Sequence, residues 1–266
     1  FTNLSKNIIK FFKNFNFKKI KKNDFEKKII FICGMPRSGT SLVEHIISSH
    51  NQVTATGENI FFSNEIKKNF LNNLKFDEKK IDHHLSSKKN FLQENFLKFL
   101  DEYNFKGNTL TDKTVQNFLW IGFIKIYFPN SKIIFTRRNP KDVCLSIFKT
   151  DFVNGFMNFS YSENHIVEFY NCYKELEIFW KELLKDELYT IEYEALINDT
   201  HKQIKDLINF CDLDWDENCL KHYNNKSPVT TASINQVRKP IYSSSINLFK
   251  KYSSYLDRNF ENLKED

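Results

Sequence analysis

Lys28-Ile29-Ile30-Phe31-Ile32-Cys33-Gly34-Met35-Pro36-Arg37-Ser38-Gly39-Thr40-Ser41 decides the fold. Lys28 to Cys33 is a short apolar run rich in β-branched residues, the pattern of a parallel strand buried on both faces. Gly34 to Gly39 reads as a turn. Ser41 to His50 then carries helical spacing through Leu42, Val43, Ile46 and Ile47. Strand, glycine-flanked loop and helix in that order make an anion site. The loop N–H groups point inward and the helix N-terminus adds positive potential. The loop comes close to GxxxxGK[ST], but Thr40 stands in the Lys position. Phosphoryl transfer leans on that Lys, so a nucleotide or small-molecule kinase is the weaker alternative. Arg37, Gly39 and the hydroxyls of Ser38, Thr40 and Ser41 are the candidate contacts to one terminal phosphate.

Downstream, Lys132 to Thr136 repeats the buried-strand signature, and Asn108 to Asp112 and Leu188 to Tyr193 read as further strands. Phe61 to about Asp101 reads as mostly helical, and Phe118 to Phe128 as an apolar helix stopped by Pro129-Asn130. Helices are also expected from Pro140, where a missing N–H costs nothing in a first turn, over Glu163 to Lys185, Asp199 to Cys211, and in the tail from Ser243 to Leu263. Alternating strands and helices predict an α/β, P-loop-like three-layer fold: a central parallel sheet flanked by helices. No internal repeat or Pro/Gly/Ser-rich linker divides the chain. The expected organisation is a basic lead-in over 1–28 and a single domain over 29–266.

Composition narrows the function. The chain has 266 residues, 41% hydrophobic and 27% charged, which fits a soluble globular protein. Its net charge of +6 suits an anionic ligand. No dense Lys/Arg stripe with interleaved aromatics argues for nucleic acid. The five cysteines are odd in number and form no CxxC, which argues against disulfides and zinc and for a reducing, cytoplasmic setting. His45 and His50 lie five apart, not the four of HExxH, and no metal is expected. No apolar run is long enough to span a membrane. The lysines among Phe11, Phe12, Phe15 and Phe17 break up any signal-peptide core, leaving an amphipathic or solvated lead-in, with a membrane-surface role the lesser reading.

A second basic motif, Thr136-Arg137-Arg138-Asn139-Pro140-Lys141-Asp142-Val143-Cys144-Leu145-Ser146, follows a strand and opens a helix. Arg138 and Ser146 can grip a second phosphate there. Together the two motifs resemble the sulfotransferase superfamily that uses 3′-phosphoadenosine 5′-phosphosulfate (PAPS). PRSGTS is similar to its 5′-phosphosulfate loop. RNPKDVCLS, with Arg followed eight residues later by Ser, is similar to its 3′-phosphate segment. The resemblance is closer to the tyrosylprotein-sulfotransferase-like branch, including bacterial members fused to tetratricopeptide repeats, and runs from about Ile29 to Phe249. It makes 29–266 a sulfotransferase domain with PAPS as co-substrate, 3′-phosphoadenosine 5′-phosphate (PAP) as product and no metal.

The resemblance also implies roles. Glu58, in Gly57-Glu58, matches the catalytic base, and Lys113, in Asp112-Lys113-Thr114, matches the residue that stabilises the leaving phosphate. Tyr193 in Glu192-Tyr193-Glu194 matches a nucleotide contact. Thr231 to Tyr242 resembles the loop over the cofactor, with Ser233 as a second leaving-group contact and Gln236 and Lys239 on the nucleotide. Two positions depart from the family: Leu248 stands where the tail carries a basic residue, and Thr150 where the helix carries Arg. The implied chemistry is in-line transfer of a sulfuryl group to a hydroxyl, with Glu58 taking the proton and Lys113 and Ser233 meeting charge on the bridging oxygen. A non-catalytic nucleotide-binding relative is the other alternative. The acceptor class, protein tyrosine, glycan or small molecule, stays open, as does a homodimer.

Overall fold

The computed structural model describes residues 1–17, 25–87, 90–152, 155–227 and 233–264. Parts of the lead-in, of the loop after Phe152 and of the late loop, including Thr231 and Ala232, lie outside the described residues.

The apolar run forms strand β1 (Lys28–Gly34) at the centre of a five-stranded sheet. Its companions are β2 (Val53–Ala55), β5 (Thr109–Asp112), β6 (Lys132–Arg137) and β7 (Leu188–Glu192). The order is β2-β5-β1-β6-β7, and every pairing is parallel. Strand periodicity splits β1 between two cores: Ile29, Phe31 and Cys33 enter one, Ile30 and Ile32 the other. The expected three-layer α/β fold is therefore present, and its register puts Phe31 beside Asp112 and Gly34 beside Thr136. The ends of β1, β5 and β6 carry the first loop, Lys113 and the second motif to one edge of the sheet.

The smaller core is closed by α2 (Thr40–Ile47), α9 (Tyr193–Asn198) and α10 (Thr200–Phe210) through Val43, Ile46, Leu196, Ile204 and Leu207. The larger core takes α3 (Phe61–Phe70), α5 (Phe91–Glu102), α6 (Ile121–Tyr127), α7 (Pro140–Phe148) and α8 (Glu163–Leu184). The segment expected to be mostly helical, Phe61 to Asp101, is interrupted. A two-stranded ribbon, β3 (Leu71–Asn72) and β4 (Lys75–Phe76), precedes α4 (Glu78–Ser87). Asn73 and Leu74 take positive φ at its tip, so the helix cannot run on. The tail is likewise a 3-10 turn over Leu248–Tyr252 and then α12 (Ser253–Phe260), not one helix from Ser243.

The first part of the lead-in, Thr2–Lys13, is an amphipathic helix. Helix α1 (Thr2–Lys13) buries Leu4, Ile8 and Phe12, spaced four apart, in the larger core. The Phe12 ring lies 5.2 Å from that of Phe123 and 5.4 Å from that of Trp180. A Cβ at residue 122 would come within 2.3 Å of this ring, so Gly122 is what lets α1 dock on α6. The apolar face suggested for a membrane surface is thus covered by the protein itself. Among the described residues, no helix is long and apolar enough to cross a membrane.

Candidate active site

The first loop turns back sharply after β1. Ser38, fully buried, closes it: its hydroxyl donates to Met35 O at 2.7 Å and lies 2.6 Å from Thr136 Oγ1 on β6. Ser38 thus shapes the loop from inside. Gly39 caps α2 at φ 108°, and a Cβ there would stand 3.1 Å from the Tyr193 ring. That backbone conformation and close contact call for glycine. Thr40 and Ser41 follow in the first turn of α2, nearly buried, on the wall of a cavity.

Arg37 sits in the left-handed region at φ 69°. Its guanidinium donates from Nε to Ser146 Oγ at 3.1 Å, from Nη2 to Gln236 Oε1 at 2.9 Å, and from Nη1 to Ser233 Oγ. One side chain therefore ties the first loop to α7 and to the short helix α11 (Ile234–Val237). Burial, and then the charge of Arg138, lower the Arg37 pKa.

The second motif is held by its own cap. The Asn139 side chain accepts from the N–H groups of Lys141 at 3.0 Å and Asp142 at 3.2 Å, starting α7. Asp142 accepts in turn from the N–H groups of Asn247 at 2.7 Å and Phe249 at 2.9 Å, fixing the tail across the helix. Arg138 donates to Arg37 O at 3.2 Å and Ser245 O at 2.6 Å, with its guanidinium 4.8 Å from the Tyr193 ring centroid. Tyr193 OH lies 2.9 Å from Ser245 Oγ. Arg138 Nε is buried and has no hydrogen-bond partner among the described residues.

These residues enclose a cavity of about 340 Å³, lined by Arg37, Gly39, Thr40, Ser41, Arg138, Ser146, Tyr193, Ser233, Gln236 and Lys239. Ten of the thirteen candidates read from the sequence therefore share one wall. Lys149, Thr150 and Leu248, at or beside the departures from the family pattern, line it too. Among the described residues, four cationic side chains, Arg37, Arg138, Lys149 and Lys239, line the cavity with one carboxylate, Asp142, whose oxygens are taken up by tail N–H groups. The cavity has the size of a small-ligand site and a net positive lining.

Ser38 is behind the loop, and Glu58 and Lys113 are not on the cavity wall. They form a pair of their own at the ends of β2 and β5. Lys113 Nζ lies 2.6 Å from Glu58 Oε1, with Lys113 buried and Glu58 41% exposed. That combination leaves a carboxylate open to an incoming group and a lysine charge held behind it. The Gly57–Glu58 turn is stitched to the sheet, since Lys113 N–H donates to Gly57 O at 3.0 Å and Thr56 N–H to Thr111 O at 3.0 Å. Behind Lys113, Asp112 accepts from Thr114 N–H and the amides of Asn59 and Asn117, each at 3.0 Å, and burial raises its pKa to about 6.

Sequence reasoning missed Glu44. It lies on α2 and is 6% exposed. Its Oε1 accepts from Thr111 Oγ1 at 3.0 Å and Gly57 N–H at 3.2 Å. Burial raises its pKa to about 7, with the Lys113 charge opposing. The one signal available was a carboxylate set among apolar helix positions, between Val43 and Ile46.

The sequence matches the sulfotransferase family over residues 30–217. The chain belongs to that family. It is 34% identical over 255 residues to an uncharacterized protein of Aquifex aeolicus (strain VF5), covering 90% of this chain and 32% of that protein. It is 23% identical over 237 residues to the protein-tyrosine sulfotransferase of Drosophila melanogaster, covering 81% of this chain and 46% of the fly protein. The chain thus spans about a third to a half of these relatives. Among solved structures, the sulfotransferase domain of the Synechococcus PCC 7002 olefin synthase superposes with a TM-score of 0.61 at 18% identity, covering 87% of this chain and 91% of that one. The mouse sulfotransferase SULT7A1, solved with PAP, gives 0.55 at 15%, covering 92% and 85%. At these identities the structures bear on the fold.

Proposed function

We propose that the chain transfers a sulfuryl group from PAPS to a hydroxyl. The observation that carries the reading is the cationic cavity where both phosphate motifs meet; the Glu58–Lys113 pair stands off its wall, at the ends of β2 and β5. The residues present suit the nucleotide: two guanidiniums, two ammoniums, the first turn of α2 and a buried Arg138 Nε with no partner among the described residues all favour phosphate oxygens. The mouse structure's PAP supports the same reading.

When bound, PAPS supplies the sulfuryl group on a phosphate leaving group. The α2 N-terminus, Thr40 and Ser41 hold the 5′ side, and Arg138 and Ser146 hold the 3′-phosphate. Tyr193, Gln236 and Lys239 orient the nucleoside. Glu58 accepts the proton of the attacking hydroxyl at a carboxylate oxygen. Neutralising that carboxylate would weaken its hold on Lys113, whose ammonium would then be available to charge on a leaving oxygen, with Ser233, beside Arg37, as a second donor. A protein tyrosine is the first acceptor to try, after the name of the fly relative.

Calorimetry with PAP and 5′-AMP tests the nucleotide assignment. PAP is expected to bind at least about tenfold more tightly, a difference of about 1.4 kcal/mol. Arg138→Ala should erase most of that preference. Equal affinities for the two ligands in the unaltered protein would refute the assignment.

A further inference from the structure

We infer that Glu44 is a positioning residue for the Glu58–Lys113 pair: its carboxyl holds the turn that carries Glu58 against the strand end that carries Lys113. This rests on the proposed roles of Glu58 and Lys113 and adds a residue from the phosphate-loop helix to them.

The geometry is specific. Gly57, next to Glu58, is held through both its backbone N–H and its backbone C=O. Its N–H donates to Glu44 at 3.2 Å, and its C=O accepts from Lys113 N–H at 3.0 Å. Thr111, one residue before Asp112, donates its hydroxyl to the same Glu44 oxygen at 3.0 Å. One carboxyl oxygen therefore joins α2, the turn after β2 and the last residues of β5. Thr111 is fully buried and Glu44 is 6% exposed, so water cannot take over these contacts cheaply. The groups facing Glu44 are Lys113 and Asp112 from the end of β5, the Gly57 amide and the Thr111 hydroxyl. His45, the next residue on α2, is also buried and feels the Lys113 charge.

The arrangement has a consequence for catalysis. Helix α2 begins at the loop that holds the 5′-phosphate, so Glu44 ties the position of the base to the position of the donor. Without it, Gly57 and Thr111 lose their shared partner on α2, and the Glu58–Lys113 pair loses its link to that helix. A misplacement on the order of 1 Å is enough to cost about 10²-fold in rate.

The test measures loss of ³⁵S from PAPS with a tyrosine peptide as acceptor, so that transfer to peptide and to water both count. Rates are taken per PAP-binding site, determined by titration. Glu44→Met keeps the volume but removes the acceptor, and kcat should fall about 10- to 100-fold with PAP affinity within about threefold of wild type. Glu44→Gln retains an acceptor oxygen and should restore kcat to within about threefold. Thr111→Val removes one donor and should lower kcat by a smaller factor, which keeps the test open if Glu44→Met fails to fold. Unchanged kcat in Glu44→Met or in Thr111→Val, or kcat and PAP affinity falling together, would overturn the inference. So would a Glu44→Gln rate as low as that of Glu44→Met. Glu58→Gln runs in parallel: if it alone is slow, only the role of Glu44 fails, and if it too is unimpaired, the assignment of the base fails.

Discussion

Replacing Glu44 by Gln should change how stability depends on pH. Burial raises the Glu44 carboxyl from its ordinary 4.5 to about 7 in the folded protein. A carboxyl raised on folding binds more protons in the native state than in the unfolded one. Its contribution is therefore full below the unfolded pKa and is lost as pH rises through the folded value, here between about 4.5 and about 7. At 1.36 kcal/mol per pH unit the whole loss is about 3 kcal/mol, of which about 2.5 kcal/mol falls between about pH 5 and about pH 8.5. Gln keeps the acceptor for Gly57 and Thr111 and has nothing to ionise. The variant should thus gain about 2.5 kcal/mol on wild type as pH is raised over that range. In urea the gain appears as a relative midpoint shift of about 1 M for a chain of this size. Asp112 and His222 also titrate on burial, His222 lowered to about 4, but both are present in the two proteins and cancel in the difference to first order. Stability curves that stay parallel from pH 5 to pH 8.5, within about 0.5 kcal/mol, would show that Glu44 ionises like a solvated carboxylate and refute the reasoning.

Two further changes test other parts of the structure. Lys113→Ala should bind PAP within a few-fold of wild type yet lose about 10²- to 10³-fold in kcat, because the proposed mechanism uses its charge mainly in the transition state; single-turnover rates and calorimetry separate this from a weakened phosphate anchor. Phe12→Ala should cost about 3–5 kcal/mol, the usual price of emptying a buried aromatic site; a thermal midpoint within about 2 °C of wild type would mean that α1 adds nothing to the core.

The fold was legible wherever one signal dominated. The runs at Ile29 to Cys33 and Ile133 to Phe135 are buried on both faces, so their patterns read as strands without help from partners. Asn139-Pro140 marks the start of α7 by a cap and a proline that work locally. Strand β2 was not legible: three residues at a sheet edge, Val53 to Ala55, carry too little pattern. The ribbon within Phe61 to Asp101 depends on positive φ at Asn73 and Leu74, residue types that do not announce it together. The site divides in the same way. Arg138, Ser146 and the PRSGTS loop stand in compact motifs. Glu58 and Lys113 came from resemblance to a family, and the structure brings them to 2.6 Å. Glu44 escaped notice because its role lies in contacts with residues 13 and 67 positions away, Gly57 and Thr111. Arg37 showed as a phosphate contact, but not as the tie that reaches Ser233 and Gln236.

Sulfuryl transfer by Glu58→Gln is the most direct test of the central claim. Gln keeps the shape and a hydrogen bond to Lys113 but takes up a proton far less readily than a carboxylate. With ³⁵S-PAPS and a tyrosine peptide, wild type should transfer label. The variant should bind PAP normally and transfer on the order of 10²–10⁴ more slowly, the range a positioned base supplies. Transfer by Glu58→Gln at the wild-type rate would contradict the account.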